Sequence, residues 1–191
     1  LEIEKEVVIY DKLQRIDCRV RIKNFHPEIR LRVGFSTKGK KFICDTQFGY
    51  IERRKGKYPC PRWACIEGKN HAITFINFGT PEYEYDGDNL YITFLRSVAK
   101  LSRGDAGPYI PTPHALELGD YEFAYSLYLS EKFCKECICE AHKFNNKPFA
   151  FQGGMENGQK IFAEVKPENI ILLAFKQSES RDSFIARICE Y

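Results

Sequence analysis

HAITFINFGTPEYEYDGDNLYITFLRSVAKLSRGDAGPYIPTP, residues His71 to Pro113, holds two apolar strands joined by a turn-rich connector. The first, His71 to Asn77, and the second, Asn89 to Arg96, carry β-branched and aromatic residues on both faces. Gly79-Thr80-Pro81 and Asp86-Gly87-Asp88 punctuate the connector. Strands that are apolar on both faces belong inside a layered structure. After Arg96 the periodicity stops, and Ser97 to Pro113 holds Gly104, Gly107, Pro108, Pro111 and Pro113 with neither a helical nor a strand period. Loops of this length inside compact domains are either functional or disordered.

On the N-terminal side the alternation is strict. Leu1 to Tyr10 places Glu2, Glu4 and Glu6 on one side of a strand, and Cys18 to Lys23 places Arg19, Arg21 and Lys23 on one side of the next. Antiparallel pairing of these two sets acid against base and selects one register. Ile29 to Phe35 repeats the device, with Arg30 and Arg32 opposite Ile29, Leu31, Val33 and Phe35. Further strands are expected over Lys41 to Asp45, Tyr50 to Arg53 and Trp63 to Glu67, with Arg53 to Lys57 as a basic loop and Trp63 packed in a core or edge.

On the C-terminal side, Tyr121 to Leu129 alternates as a single-faced strand. From Ser130 to Phe144 the period changes to three and four, predicting one short amphipathic helix with Ser130 at its N-cap. Strands follow around Ile161 to Val165, Ile170 to Lys176 and Ser183 to Cys189, with Gln177 to Asp182 as a hairpin turn. About a dozen short strands and one helix argue for packed antiparallel sheets.

The 191 residues are ample for a core, and 43% hydrophobic and 14% aromatic residues describe a globular chain. A net charge of +3 is too small to argue for nucleic acid, and the acidic strand neutralises its basic neighbour. No apolar run approaches the ~20 residues of a membrane span, and no signal-peptide pattern is present. Leu1 already sits within a strand pattern, so the chain reads as a piece of a longer protein. Its eight cysteines read mostly as reduced thiols, which goes with a cytoplasmic location. Intracellular disulfides would be expected only from a hyperthermophile source, with Cys60 and Cys65 as a candidate pair. Cys134, Cys137 and Cys139 lie on the helix, where the spacing suits buried thiols better than zinc ligands.

Glycoside hydrolysis with retention needs two carboxyl groups about 5–5.5 Å apart. The sequence offers 26 acidic residues and no pattern that selects two. No Gly-x-Ser-x-Gly, His-Glu-x-x-His, Walker loop or Gly-x-Gly-x-x-Gly occurs, and His26, His71, His114 and His142 are far apart in sequence. Arg96, Arg103 and Asp105 in the long loop could hydrogen-bond sugar hydroxyls, or could simply tie the loop down.

The runs IRLRVGFST (29–37), DTQFGYIERR (45–54), PRW (61–63), INFGTPEYEY (76–85), LRSVAKLSRGD (95–105), TP (112–113) and VKPENIILLAFK (165–176) resemble the C-terminal half of glycoside hydrolase family 38 α-mannosidases of the bacterial and archaeal type. The resemblance implies an all-β, two-layer antiparallel supersandwich of the galactose-mutarotase-like kind over residues 1–158. It also implies strands of a following small β domain over 159–191. In that family the aspartate nucleophile and the zinc ion belong to an N-terminal catalytic domain, so no catalytic residue, metal ligand or cofactor is assigned here. The resemblance makes that catalytic domain the partner and a mannoside the substrate, with no nucleic acid or membrane partner; self-association is left open. Arg96, Arg103 and Asp105 would then help close the sugar pocket. Two other readings stand beside it: a carbohydrate-binding module with an exposed aromatic strip, and an aldose epimerase using His71 or His114 beside a carboxylate.

Overall fold

Strands β1 (Glu2–Ile9) and β2 (Arg15–Asn24) pair antiparallel with Glu2 opposite Lys23, Glu4 opposite Arg21 and Glu6 opposite Arg19, the register that charge complementarity demands. The structure is a computed structural model and describes residues 1–47, 49–102, 104–149, 152, 164–167 and 169–190. The chain continues through β3 (Arg30–Ser36), β4 (Lys41–Thr46), β5 (Gly49–Arg53), β6 (Gly56–Pro59) and β7 (Trp63–Glu67). It then forms β8 (Ala72–Phe78), β9 (Glu82–Tyr85), β10 (Asn89–Arg96) and β11 (Gly119–Ser130). A helix, α1 (Lys135–Asn145), precedes the last two strands, β12 (Ile170–Gln177) and β13 (Phe184–Glu190).

Seven strands form one antiparallel sheet in the order β1-β2-β11-β8-β7-β4-β5, and four form a second in the order β3-β10-β9-β6. This is the expected all-β, two-layer sandwich. Between the layers, Cys18, Val20 and Ile22 of β2, Phe75 of β8 and Tyr125 of β11 meet Tyr83, Tyr85, Leu90 and Ile92 of the smaller sheet. On the opposite face of the larger sheet, Ile138, Ala141 and Phe144 of α1 cover Ile43, Trp63, Cys65, Ala72 and Ile76. The middle of that sheet is therefore buried on both sides, which is why the segment beginning at His71 is apolar on both faces. Trp63 has no exposed surface; burial on this scale makes truncation of a Trp to Ala cost about 3–5 kcal/mol.

The structure departs from the sequence-based expectations at three places. The connector between β8 and β10 contains β9, whose Tyr83 and Tyr85 point into the core while Glu82 and Glu84 face outward. Four residues between Pro81 and Asp86-Gly87 are too short to show a period, and only their pairing to β6 and β10 makes them a strand. The basic stretch Arg53 to Lys57 is not a loop throughout, since β6 begins at Gly56 and pairs to β9. Helix α1 starts at Lys135 with Cys134 as N-cap, because Ser130 is still paired in β11 opposite Ala72. The Ser130 hydroxyl donates to the Lys132 carbonyl instead, at 2.9 Å. Cys60 and Cys65 are free thiols, as the reading of reduced cysteines expects. Cys60 lies in the inter-sheet core and Cys65 on the opposite face beneath α1, so the sheet itself separates them.

β12 and β13 form a separate two-stranded sheet joined by the expected hairpin turn, with Ile171 packed against the cluster under α1. The strand expected over Ile161 to Val165 lies partly outside the described residues, and residues 164–166 carry no strand.

Candidate functional site

The described residues of the aperiodic loop after β10 form a hydrogen-bonded finger. Its base is clamped by Ser97, whose amide donates to the Ile29 carbonyl (2.8 Å) and whose hydroxyl donates to the Leu116 carbonyl (2.6 Å) while accepting from the Glu28 amide (2.8 Å). Two strand-like rungs follow, Leu101 amide to Ile110 carbonyl at 2.9 Å and Thr112 amide to Ala99 carbonyl at 2.8 Å, flanking a bridge between Lys100 and Pro111. At the tip, Ser102 donates to the Gly107 carbonyl and accepts from the Gly104 amide. Gly104 sits there at φ +88, a conformation that favours glycine.

What this frame presents is apolar and cationic. Leu101, Tyr109 and Ile110 are 65%, 57% and 47% exposed, and the Lys100 ammonium lies 4.5 Å from the centre of the Tyr109 ring. Three large apolar side chains are thus held in water by a hydrogen-bonded loop. Sequence reasoning passed over these three residues, although an apolar trio in a Gly/Pro-rich loop was the available signal.

Of the residues proposed from sequence, Arg96 is exposed at the finger's base, opposite Arg30 in the β3–β10 ladder. It adds positive field to a cluster in which Arg30 bonds Glu82, and Arg32 bonds Glu84 at 2.7 Å. Burial alone would raise the Glu82 carboxyl, yet the Thr93 hydroxyl, Arg30 and the field of Arg96 hold it below the usual range. Asp105 is exposed near the tip, and no hydrogen bond or ion pair joins it to Arg96. Arg103 lies outside the described residues.

A second concave feature lies on the outer face of the larger sheet beside α1. This cleft of about 560 Å³ has Tyr10, Arg15, Asp17, Phe78, Lys143 and Phe144 among its walls. Its polar centre is saturated: Asp17 accepts from Arg15 (2.8 and 3.1 Å), Tyr10 (2.8 Å) and Ser126 (2.7 Å), and Arg15 also reaches Glu140 at 3.0 Å. Partial burial would raise the Asp17 carboxyl, but these donors hold it below the normal carboxylate value. The Tyr10 phenol is correspondingly raised, first by its bond to Asp17. A carboxylate so fully engaged is a structural anion, with no lone pair spare for attack or proton transfer.

The histidine of an epimerase does not materialise. His114 is exposed on a single 3-10 turn, His71 lines neither this cleft nor a smaller cavity beside the start of α1, and neither pairs with a carboxylate among the described residues. No group of three or more His, Cys, Asp or Glu side chains among the described residues converges as a metal site would require.

Two packed antiparallel sheets and a helix covering one face of the larger define the class: an all-β sandwich domain. Residues 1–106 match the family of glycosyl hydrolases family 38 C-terminal domains, and the chain belongs to that family. Its fold is similar to that of an α-mannosidase from Enterococcus faecalis V583 (TM-score 0.80, 20% identity) and of a glycosyl hydrolase family 38 protein from Enterococcus faecalis (TM-score 0.79, 22% identity). In both cases 97% of this chain aligns but spans only 23% of the other protein. No curated protein matches the chain.

Proposed function

We propose that this chain is the non-catalytic C-terminal β region of a retaining α-mannosidase, where it scaffolds an N-terminal catalytic domain and closes part of its mannoside pocket. Family membership and the likeness to much longer α-mannosidase chains support the first half of this reading. The single observation behind the second half is the finger, with Arg96 exposed at its base and in no ion pair with a described residue, and with apolar side chains held in solvent along its stem. On this reading Leu101, Tyr109 and Ile110 dock on the catalytic domain. Arg96 and Arg103 donate to sugar hydroxyls, and Asp105 accepts from them, in the bidentate manner that fixes a pyranose ring. The family's nucleophile and zinc ion act from the catalytic domain, and no residue here is assigned to either.

The test is kinetic. In the longer polypeptide carrying this segment, Arg96→Ala is expected to lower kcat/KM for an aryl mannoside about tenfold, the loss of one charge-assisted hydrogen bond. The melting temperature should hold, because Arg96 is exposed. Unchanged kinetics at unchanged Tm would remove Arg96 from the pocket. Exposed Phe78 and Tyr10 at the outer cleft favour a second reading, a carbohydrate-binding surface. Titration of the isolated chain with mannobiose separates the two, since the scaffold reading expects negligible binding.

A further inference from the structure

The strongest unassigned chemistry lies at the start of α1. Cys134 is the N-cap and Cys137 the third helical residue, so a Cys-x-x-Cys spacing is folded onto the one helical position that an N-cap side chain naturally overhangs. The two sulfur atoms are 3.8 Å apart. Cys134 lines an open cavity of about 280 Å³ with Tyr50, Phe133, Ile138, Asn169 and Ile171, whereas Cys137 is wholly buried behind it. One thiol is thus reachable from solvent and the other is positioned only to meet the first. Cys137 is also held by its neighbours, 3.4 Å from the Ser130 hydroxyl and 4.0 Å from the Lys132 carbonyl. The contrast with Cys44 and Cys60 is instructive, since both of those are sealed in the inter-sheet core where no oxidant enters.

We propose that Cys134 and Cys137 form a modification site, a dithiol that a small-molecule disulfide oxidises to an intramolecular disulfide. The Cys134 thiolate attacks one sulfur of the reagent, forming a mixed disulfide and expelling one thiolate. Cys137 then loses its proton, attacks the Cys134 sulfur and expels the second. The balance is two protein thiols and one disulfide reagent in, one protein disulfide and two reagent thiols out. The helix N-terminus supplies partial positive charge to the attacking sulfur. Burial, a bond to Glu136 and the neighbouring Cys137 work the other way and push the Cys134 thiol up to about 11, which makes the site a slow dithiol.

The experiment uses the whole chain, incubated under native conditions with oxidised glutathione, then denatured, alkylated and mapped by mass spectrometry. Six of the eight cysteines should remain alkylatable. Cleavage after Lys135 should yield two peptides joined through Cys134 and Cys137. The C134S chain should lose no thiols at this helix, and the C137S chain should instead retain one glutathione on Cys134. Retention of all eight thiols, a lasting glutathione adduct on Cys134 of the unsubstituted chain, or a bond from Cys134 to Cys139 would each overturn the proposal. Because C134S alters a partly exposed side chain, it keeps the test interpretable even if C137S fails to fold.

Discussion

The Arg62 guanidinium closes on the fully buried Asp45 carboxylate in a fork, Nε 2.9 Å from Oδ2 and Nη2 3.0 Å from Oδ1, while the Arg62 amide donates to the same Oδ2 at 3.0 Å. The remaining arm, Nη1, lies 3.2 Å from Nε2 of His142 on α1. One arginine therefore ties β4 to the loop before β7 and touches the helix that caps this face. Asp45→Ala removes these charge-assisted contacts from a guanidinium in a mostly dry place. We expect a loss of about 3 kcal/mol in urea unfolding, the scale for breaking a buried pair on one side. A loss under 1 kcal/mol would mean that water replaces the carboxylate without penalty.

His142 carries a pH dependence. Burial first, and the adjacent Arg62 charge second, lower its pKa from 6.5 to about 4. Below pH 6.5 the unfolded chain takes up a proton that the folded state refuses until about pH 4. Stability should therefore be whole above 6.5 and fall as pH drops towards 4. Discounted for partial exposure, the effect is about 1–2 kcal/mol. Urea midpoints at pH 7 and pH 4.5 measure it, and His142→Gln should flatten the difference.

The charge ladder on β1, β2 and β11 is exposed, with Arg21 3.5 Å from Glu4 and 3.2 Å from Glu122. Glu4→Lys sets like charges across the strands and should lower the urea midpoint at low salt. That shift should largely vanish in 1 M salt, where screening acts within about 3 Å. A penalty independent of salt would point to packing rather than charge.

The apolar side chains of the finger's stem separate folding from docking. Leu101→Ser with Ile110→Ser should change the stability of this chain by less than about 0.5 kcal/mol, because both side chains already stand in water. In the longer polypeptide the same pair should lower its melting temperature by several degrees, read by differential scanning calorimetry. Equal Tm there would leave this apolar pair without a partner.

Local pattern carried most of the layers. Alternation over Glu2 to Lys23 marked β1 and β2 and, through its charges, their register; two-faced apolarity marked β8 and β10 as interior strands. It failed where a strand is too short to repeat, as in β9, and where one element outlasts its pattern, as when β11 runs on to Ser130 and delays α1.

The sequence by itself determined the all-β sandwich, because a period of two sorts side chains to opposite faces residue by residue and needs no knowledge of distant partners. Only the tertiary structure decided that Asp45, Arg62 and His142 meet, and that Cys60 and Cys65 part to opposite sides of a sheet. It alone decided that the loop after Arg96 stands as a finger. Each of these depends on which strands become neighbours, and strand order is set by the burial of the whole chain rather than by any window along it.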